Sequence, residues 1–186
     1  MDWNAYQTNA AKTSGAKDDT NPNGRVIVAV LGLAGEVGEL ANKLKKEIGH
    51  KHPTPLAVYE DELGDVLWYL AELCTALEVK FDDLRSVISP DANDYFTGTD
   101  ERLLSVAALL KRSGHLAAYL IELAMMNMLG VDTAMVALLM DVLAALYETM
   151  VAFDLTVEQV ADTNLAKLAK RYPDGFSPEA SLNRTA

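Results

Sequence analysis

Apolar residues recur with helical spacing along nearly the whole chain, and no segment shows the strict alternation of a half-buried β-strand. Three segments rich in Asp, Asn, Pro or Gly interrupt this pattern, at 17–24, 51–55 and 89–100. The rest divides into stretches of helical length, at about 2–14, 26–48, 56–78, 81–88, 101–129, 132–153 and 156–171. The sequence therefore predicts an all-α fold.

Local signals mark where some of these helices begin and end. Thr156 and Gln159 have the spacing of a capping box, which predicts a helix start at Thr156. Thr54 followed by Pro55 predicts an N-cap with proline at the first helical position. The tail after Tyr172 is rich in Pro, Gly and Ser, so we expect it to be irregular.

Charge and composition restrict the classes of partner. The 186 residues include 16 Lys and Arg against 27 Asp and Glu, a formal net charge of −11, so we expect no nucleic-acid partner. Acidic residues interrupt the apolar stretch 116–150, which favours a buried helix pair over a membrane span. Cys74 is the single cysteine, and the N-terminus lacks signal-peptide features, so we expect a cytoplasmic protein.

An internal repeat divides the chain into two halves. Residues 65–84 align without gaps with residues 141–160, and six of the twenty positions are identical. Two helices rich in Leu and Ala could match through composition alone, but this match continues through the turn into the next helix start. We therefore expect a degenerate tandem repeat, with halves at 1–88 and 101–177 and a tail at 178–186, folded as one compact unit.

Four carboxylates in the first half are spaced for convergence. Glu36 and Glu39 are three residues apart, as are Glu62 and Asp65, so each pair lies on one face of its helix. The short connection predicts that the two helices pack antiparallel, which would bring the pairs together. Carboxylates packed together repel one another unless they are protonated or share a cation, and oxygen ligands favour Mg²⁺ or Mn²⁺.

Two features help to decide whether these acids form a binding site or only a solvent-exposed charged face. Lys43 and Lys46 lie within about a quarter turn of the Glu36 and Glu39 face, at 100° per residue, where they could contact phosphates. Gly35 and Gly38 flank the acids inside a helix, where each glycine costs about 1 kcal/mol relative to alanine. These glycines predict close approach of a second helix or a ligand.

The surrounding motifs resemble those of the MazG-type all-α nucleoside triphosphate pyrophosphohydrolases. The pattern E-x-x-E, 22 residues, E-x-x-D lies within "GLAGEVGEL" and "EDELGDVLWYL", and the segment 164–176, "NLAKLAKRYPDGF", is similar to the family's ending. Together they cover about residues 2–84 and 155–177. The predicted fold is thus a MazG-like helical bundle, with the repeat forming an intrachain pseudo-dimer.

The resemblance implies hydrolysis of a (d)NTP between the α and β phosphates, which releases pyrophosphate for nucleotide-pool control. It implies that Glu36, Glu39, Glu62 and Asp65 hold two or three Mg²⁺ or Mn²⁺ ions, with a metal-bound water as nucleophile and Glu36 or Glu39 as the assisting base. The residues that it places against sugar or phosphates are Asn164, Lys167, Arg171 and Tyr172.

The chain departs from the family pattern in how the motifs are distributed. The first half carries the acids but has Ile88 and Asp91 where the repeat aligns Asn164 and Lys167. The second half carries those two residues, and of the four acids it keeps a counterpart only at Asp141. We hypothesise that an ancestral homodimer became one chain with one working site, joined through 89–100.

Several alternatives stay open at this stage. The enzyme could be a dUTPase or dCTPase relative or a phosphoribosyl-ATP pyrophosphohydrolase. Its role could be house-cleaning or phage nucleotide metabolism. The sequence does not identify the base of the substrate, and dGTP is one candidate. A catalytically silent helical binding or dimerisation module is the alternative from another class, and a homo-oligomer is possible. Trp68 and the methionines between 125 and 150 are interpreted as core residues, and His115 as a core or interface residue.

Overall fold

The computed structural model describes residues 2–15, 21–84 and 100–182, and these residues are helical with short connections. The helices are α1 (Trp3–Lys12), α2 (Pro22–His50), α3 (Leu56–Ala76), α4 (Phe81–Leu84), α5 (Glu101–Met125), α6 (Thr133–Ala152), α7 (Val157–Arg171) and α8 (Pro178–Leu182). Within the described ranges there is no strand, so the predicted all-α class is confirmed.

Two helical hairpins form the body of the protein. In the first, Tyr59 Oη near the start of α3 donates to Glu47 Oε2 near the end of α2, at 2.7 Å, so the helices run antiparallel. The second hairpin pairs α5 with α6, and α2 packs against α5. Arg102 Nη1 near the start of α5 lies 3.0 Å from Glu47 Oε1 near the end of α2, so this pair is antiparallel too. α1 and α7 pack on α3, and buried leucines fill the interior.

The caps and ends differ in part from the sequence predictions. The capping box of Thr156 and Gln159 is present, as predicted. The N-cap of α3 is Pro55 without a side-chain hydrogen bond, so the Thr54 prediction is wrong. α5 ends at Met125, and the tail, predicted to be irregular, contains α8. The predicted helix 81–88 is observed as far as Leu84, and its remainder lies outside the described residues, as does 89–99.

Corresponding turns in the two hairpins have the same local geometry. After α3, Glu78 has a φ of 57° and Val79 N donates to Cys74 O at 2.8 Å. After α6, Asp154 has a φ of 57° and Leu155 N donates to the equivalent carbonyl, at 2.9 Å. The sequence repeat aligns these positions. The segments that follow also pack alike, since α4 contacts α6 and α7 contacts α3.

Several residues interpreted as core lie at the surface. Met125 is 81% exposed, and Met126 and Met128 are each 64% exposed, whereas Met135 and Met150 are buried and Met140 is partly buried. His115 is exposed on α5, so it is not a core residue, and its alternative interpretation as an interface residue stays a prediction. By length and composition α6 alone among the described helices could cross a membrane, a property that the core helix of a soluble protein shares.

Candidate functional site

Three of the four predicted carboxylates converge between α2 and α3. Carboxylate oxygens of Glu36, Glu39 and Glu62 all lie within 4.8 Å of one another. The i, i+3 spacing places the first two on the same face of α2, and the antiparallel pairing brings α3 alongside them. Glu62 is buried, Glu36 is partly buried and Glu39 is exposed, so the cluster opens to solvent on one side.

The fourth acid, Asp65, lies beside this cluster but is bound by α7. Its Oδ1 accepts a hydrogen bond from Asn164 Nδ2 at 3.1 Å and one from Lys167 Nζ at 2.6 Å. Lys167 Nζ also lies 2.6 Å from Asp61 Oδ1. Asn164 and Lys167, both predicted as site residues, therefore contact Asp65, which lies on α3, the helix that carries Glu62.

Burial and repulsion from neighbouring carboxylates raise the pKa of Glu36 and of Glu62. The pKa of Glu36 rises to about 7, first because burial penalises its charged form and then because Asp65, Glu39 and Glu62 are nearby. Burial, followed by repulsion from Glu39, also raises the pKa of Glu62, although Lys43 Nζ lies 3.6 Å from one of its oxygens. Oxygen ligands with excess negative charge are the donor set that Mg²⁺ and Mn²⁺ favour, so the residues fit such an ion.

Asn164 is held from both sides. Its side chain is 2% exposed, and its Oδ1 accepts a hydrogen bond from Tyr6 Oη at 3.0 Å while its Nδ2 donates to Asp65. Gly64 makes room for it, since a Cβ there would lie 3.0 Å from Asn164 Cβ. These contacts orient Asp65, and the predicted contact of Asn164 with sugar or phosphate stays a prediction.

A cavity of about 740 Å³ extends from the acids along α1, α2, α3 and α7. Glu36 and Asp65 line it, and so do four aromatic side chains and two Arg residues. The aromatic residues are Trp68, Tyr69, Tyr172 and Phe176. The volume is within the range of small-molecule sites. Of the predicted substrate contacts, Arg171 and Tyr172 line this cavity, while Lys46 is exposed on α2.

Trp68 forms a fixed part of the cavity wall. Its Nε1 donates to Thr13 Oγ1 at 2.9 Å and to Ala10 O at 3.2 Å, and its ring packs edge-on against Tyr69 with centroids 4.7 Å apart. The side chain is partly buried and packs against the core while it lines the cavity. The interpretation of Trp68 as a core residue is therefore compatible with its position, which also exposes part of the ring to the cavity.

Sequence reasoning missed a buried polar group in the same cavity. Glu72 is 3% exposed, and its Oε1 accepts hydrogen bonds from Ser14 Oγ at 2.7 Å and Arg25 Nε at 2.9 Å. Arg25 Nη2 donates to its Oε2 at 3.2 Å. The sequence signal for this group was the identity of Glu72 with Glu148 in the repeat.

The structure tests one of the two roles predicted for the glycines beside the acids, the close approach of a second helix. An added Cβ at Gly35 or Gly38 would have no atom within 4 Å, so neither glycine serves a close helix contact. The prediction that a second helix approaches there is wrong. At Gly32, in contrast, a Cβ would overlap the ring of Tyr69. The glycine required for packing on α3 is therefore the one furthest from the acids.

Comparison with known proteins relates the chain to a bacteriophage gene product. It is 40% identical over 86 residues to the "Gene 37 protein" of Mycobacterium phage L5, a match that covers 42% of this chain and 75% of the relative. No protein-family model matches the chain, and no solved structure matches it. On the strength of the shared segment, the chain belongs to the same family as the Gene 37 protein of Mycobacterium phage L5.

Proposed function

We propose that this chain is a MazG-like, metal-dependent pyrophosphohydrolase that cleaves (d)NTPs between the α and β phosphates. The observation that carries the proposal is the position of the acids, because Glu36 belongs to a three-glutamate cluster and also lines an aromatic-walled cavity. A nucleotide needs both parts, since its phosphates require cations and its base requires apolar surfaces.

Glu36, Glu39 and Glu62 would hold Mg²⁺ or Mn²⁺, and family resemblance suggests two or three ions with Asp65 as a further ligand. When bound, the ions supply Lewis-acid stabilisation of phosphate charge and lower the pKa of water. Asp65 already accepts two hydrogen bonds at Oδ1, and its Oδ2 is the atom left for an ion. Lys167 keeps part of its negative charge neutralised.

The chain's own groups assign the remaining tasks. Glu36 or Glu39 accepts the proton of the attacking water, and Lys43, Lys46 and Arg171 supply positive charge for the phosphates. The exposed position of Arg171 at the cavity lining suits a contact with a charged group that enters from solvent. Tyr172 packs against Phe176 with centroids 5.6 Å apart, which offers an apolar surface to the nucleoside.

The repeat supports a pseudo-dimer with one working site per chain. The equivalent turns after α3 and α6, and the reciprocal packing of α7 on α3 and α4 on α6, are what an internal two-fold arrangement requires. The contact of α7 with α3 brings Asn164 and Lys167 to Asp65, beside the glutamates of α2 and α3. Native mass spectrometry should detect one metal cluster per chain, and two full clusters per chain would exclude this arrangement.

The direct test is pyrophosphate release from a panel of dNTPs and NTPs with Mg²⁺ or Mn²⁺. We expect turnover by the wild type and a loss of at least a hundredfold in Glu39→Gln, since a metal ligand and candidate base is removed. Glu122→Gln, an exposed glutamate on α5, is the matched control and should retain wild-type turnover. Turnover of no nucleotide, with Glu39→Gln equal to wild type in metal binding, would contradict the proposal.

The alternative from another class is a silent helical binding or dimerisation module. The observation in its favour is apolar exposure, since Leu31, Leu103 and Leu110 are 59%, 42% and 47% exposed. The same panel separates a dUTPase, a dCTPase or a phosphoribosyl-ATP pyrophosphohydrolase from a broader enzyme. We further propose that the protein is cytoplasmic and has no nucleic-acid or membrane partner. A homo-oligomer could form through the exposed Leu31, Leu103 and Leu110.

A further inference from the structure

The polar groups of the cavity fall into two sets at different distances along α3. Asp65, at the acidic end, and Glu72 are seven residues apart, which is two helical turns on the same face, or about 10 Å along the axis. If the acidic end receives the phosphates, the Glu72 end lies one sugar further along the cavity. That is the position of the base, so the polar groups there would read its edge.

Arg25 is the only cationic side chain that contacts Glu72 among the described residues. Its Nε and Nη2 each donate one hydrogen bond to the carboxylate, which occupies two of the five N–H donors of the guanidinium. Because Ser14 and the burial of Glu72 fix the carboxylate, the guanidinium plane is fixed as well. The adjacent edge, formed by Nη1 and the second N–H of Nη2, remains to donate to a ligand in the cavity.

On this basis we propose that Arg25, positioned by Glu72, reads the base of the nucleotide and selects guanine. An arginine edge donates two parallel hydrogen bonds, and guanine presents the adjacent acceptors O6 and N7 that match them. Adenine presents N7 beside an amino group, which would point a donor at the guanidinium. Trp68, Tyr69 and Phe176, which line the cavity, would cover the faces of the ring system.

This inference rests on the proposed function, and its test separates the two. Arg25→Lys keeps the positive charge beside the buried Glu72 but removes the fork of donors. Arg112→Lys is the matched control, because Arg112 Nη1 lies 3.6 Å from Glu148 Oε2 in the second half, away from the residues of the cavity. Unfolding temperatures of both variants verify that the fold is retained.

Two measurements are compared, kcat/KM for dGTP and dATP, and the rise in unfolding temperature with dGMP and dAMP. We expect the wild type to prefer guanine by about fivefold to a hundredfold. In Arg25→Lys the preference should fall to near one, mainly through KM for dGTP, with dATP within about threefold of wild type. Arg112→Lys should keep the preference.

Equal losses for both bases in Arg25→Lys, or no guanine preference in the wild type, would overturn the inference and leave the pyrophosphohydrolase proposal intact. Selective stabilisation by dGMP without turnover of any triphosphate would support base reading and contradict the proposed reaction. If neither monophosphate stabilises the protein and no triphosphate is hydrolysed, both proposals are wrong.

Discussion

Replacement by alanine should change the free energy of unfolding in opposite directions at neighbouring glycines of α2. We expect stabilisation at Gly35 and Gly38 and destabilisation at Gly32. At Gly35 and Gly38 an added Cβ has no neighbour within 4 Å, whereas at Gly32 it would overlap the ring of Tyr69. Alanine in a helix interior is favoured over glycine by about 1 kcal/mol. Gly35→Ala should therefore increase the free energy of unfolding by up to about 1 kcal/mol, or about 2–4 °C in unfolding temperature.

At Gly32 the helical gain is opposed by the overlap with Tyr69. That ring packs edge-on against Trp68, whose Nε1 is bound to Thr13 Oγ1, so it cannot move without disturbing the cavity wall. Insertion of a methyl group into such a contact costs about 1–3 kcal/mol. Gly32→Ala should therefore lose up to about 2 kcal/mol net, and the two variants should differ by about 1–3 kcal/mol.

Urea unfolding followed by circular dichroism measures both changes, and Gly38→Ala serves as a second example of the open position. The reasoning is refuted if Gly35→Ala destabilises by more than about 0.5 kcal/mol, or if Gly32→Ala stabilises as much as Gly35→Ala. Nucleotide turnover adds a second readout. A stabilised Gly35→Ala that loses activity would mean that a ligand uses the open space beside the acids.

Two further predictions concern the acids and their support. The pKa of Glu36 is raised to about 7, so the metal-free protein should lose stability as pH rises from about 4.5 through 7. The expected loss is about 1–2 kcal/mol after solvent screening, and Glu36→Gln should remove it. Thermal melts with EDTA across this pH range measure the effect. A flat wild-type profile would contradict this expectation. Tyr6→Phe should cost about 1–3 kcal/mol because it leaves buried Asn164 Oδ1 without that donor, and should lower turnover through Asp65. Tyr119→Phe, which removes a solvent-exposed hydrogen bond to Asp132, should change stability by less than about 0.5 kcal/mol, and equal losses in both variants would contradict the role of Tyr6.

The sequence predicted those parts of the structure that depend on local spacing. Helical periodicity is a property of neighbouring residues, so the order of the major helices was predictable, and so was the convergence of Glu36, Glu39 and Glu62. Helix ends were predicted less well. Thr54 has the chemistry of an N-cap, but Pro55 takes that position.

The rest of the candidate site depends on contacts between residues far apart in the chain. Asp65 and Asn164 are separated by 99 residues, and no local pattern indicates that one would bind the other. The same holds for Ser14 and Glu72, 58 residues apart. Nor does a glycine's sequence context reveal what faces it, which is why Gly32 was overlooked and Gly35 misinterpreted.

The proposed pseudo-dimer would account for the way the motifs are distributed between the two halves. In a symmetric dimer whose exchanged helices each cover the partner's acids, every site would combine acids from one copy with a covering helix from the other. Once the copies share one chain, the two sites can diverge. Because each site needs both its acids and its covering helix, a site that loses one of them no longer has a use for the other. The pair of α3 and α7 retains both, through Asp65, Asn164 and Lys167. The pair of α6 and α4 retains the contact but has Leu138 where α3 has Glu62. Loss of the acids in one half and of the Asn and Lys in the other is therefore the outcome expected when a single site decays.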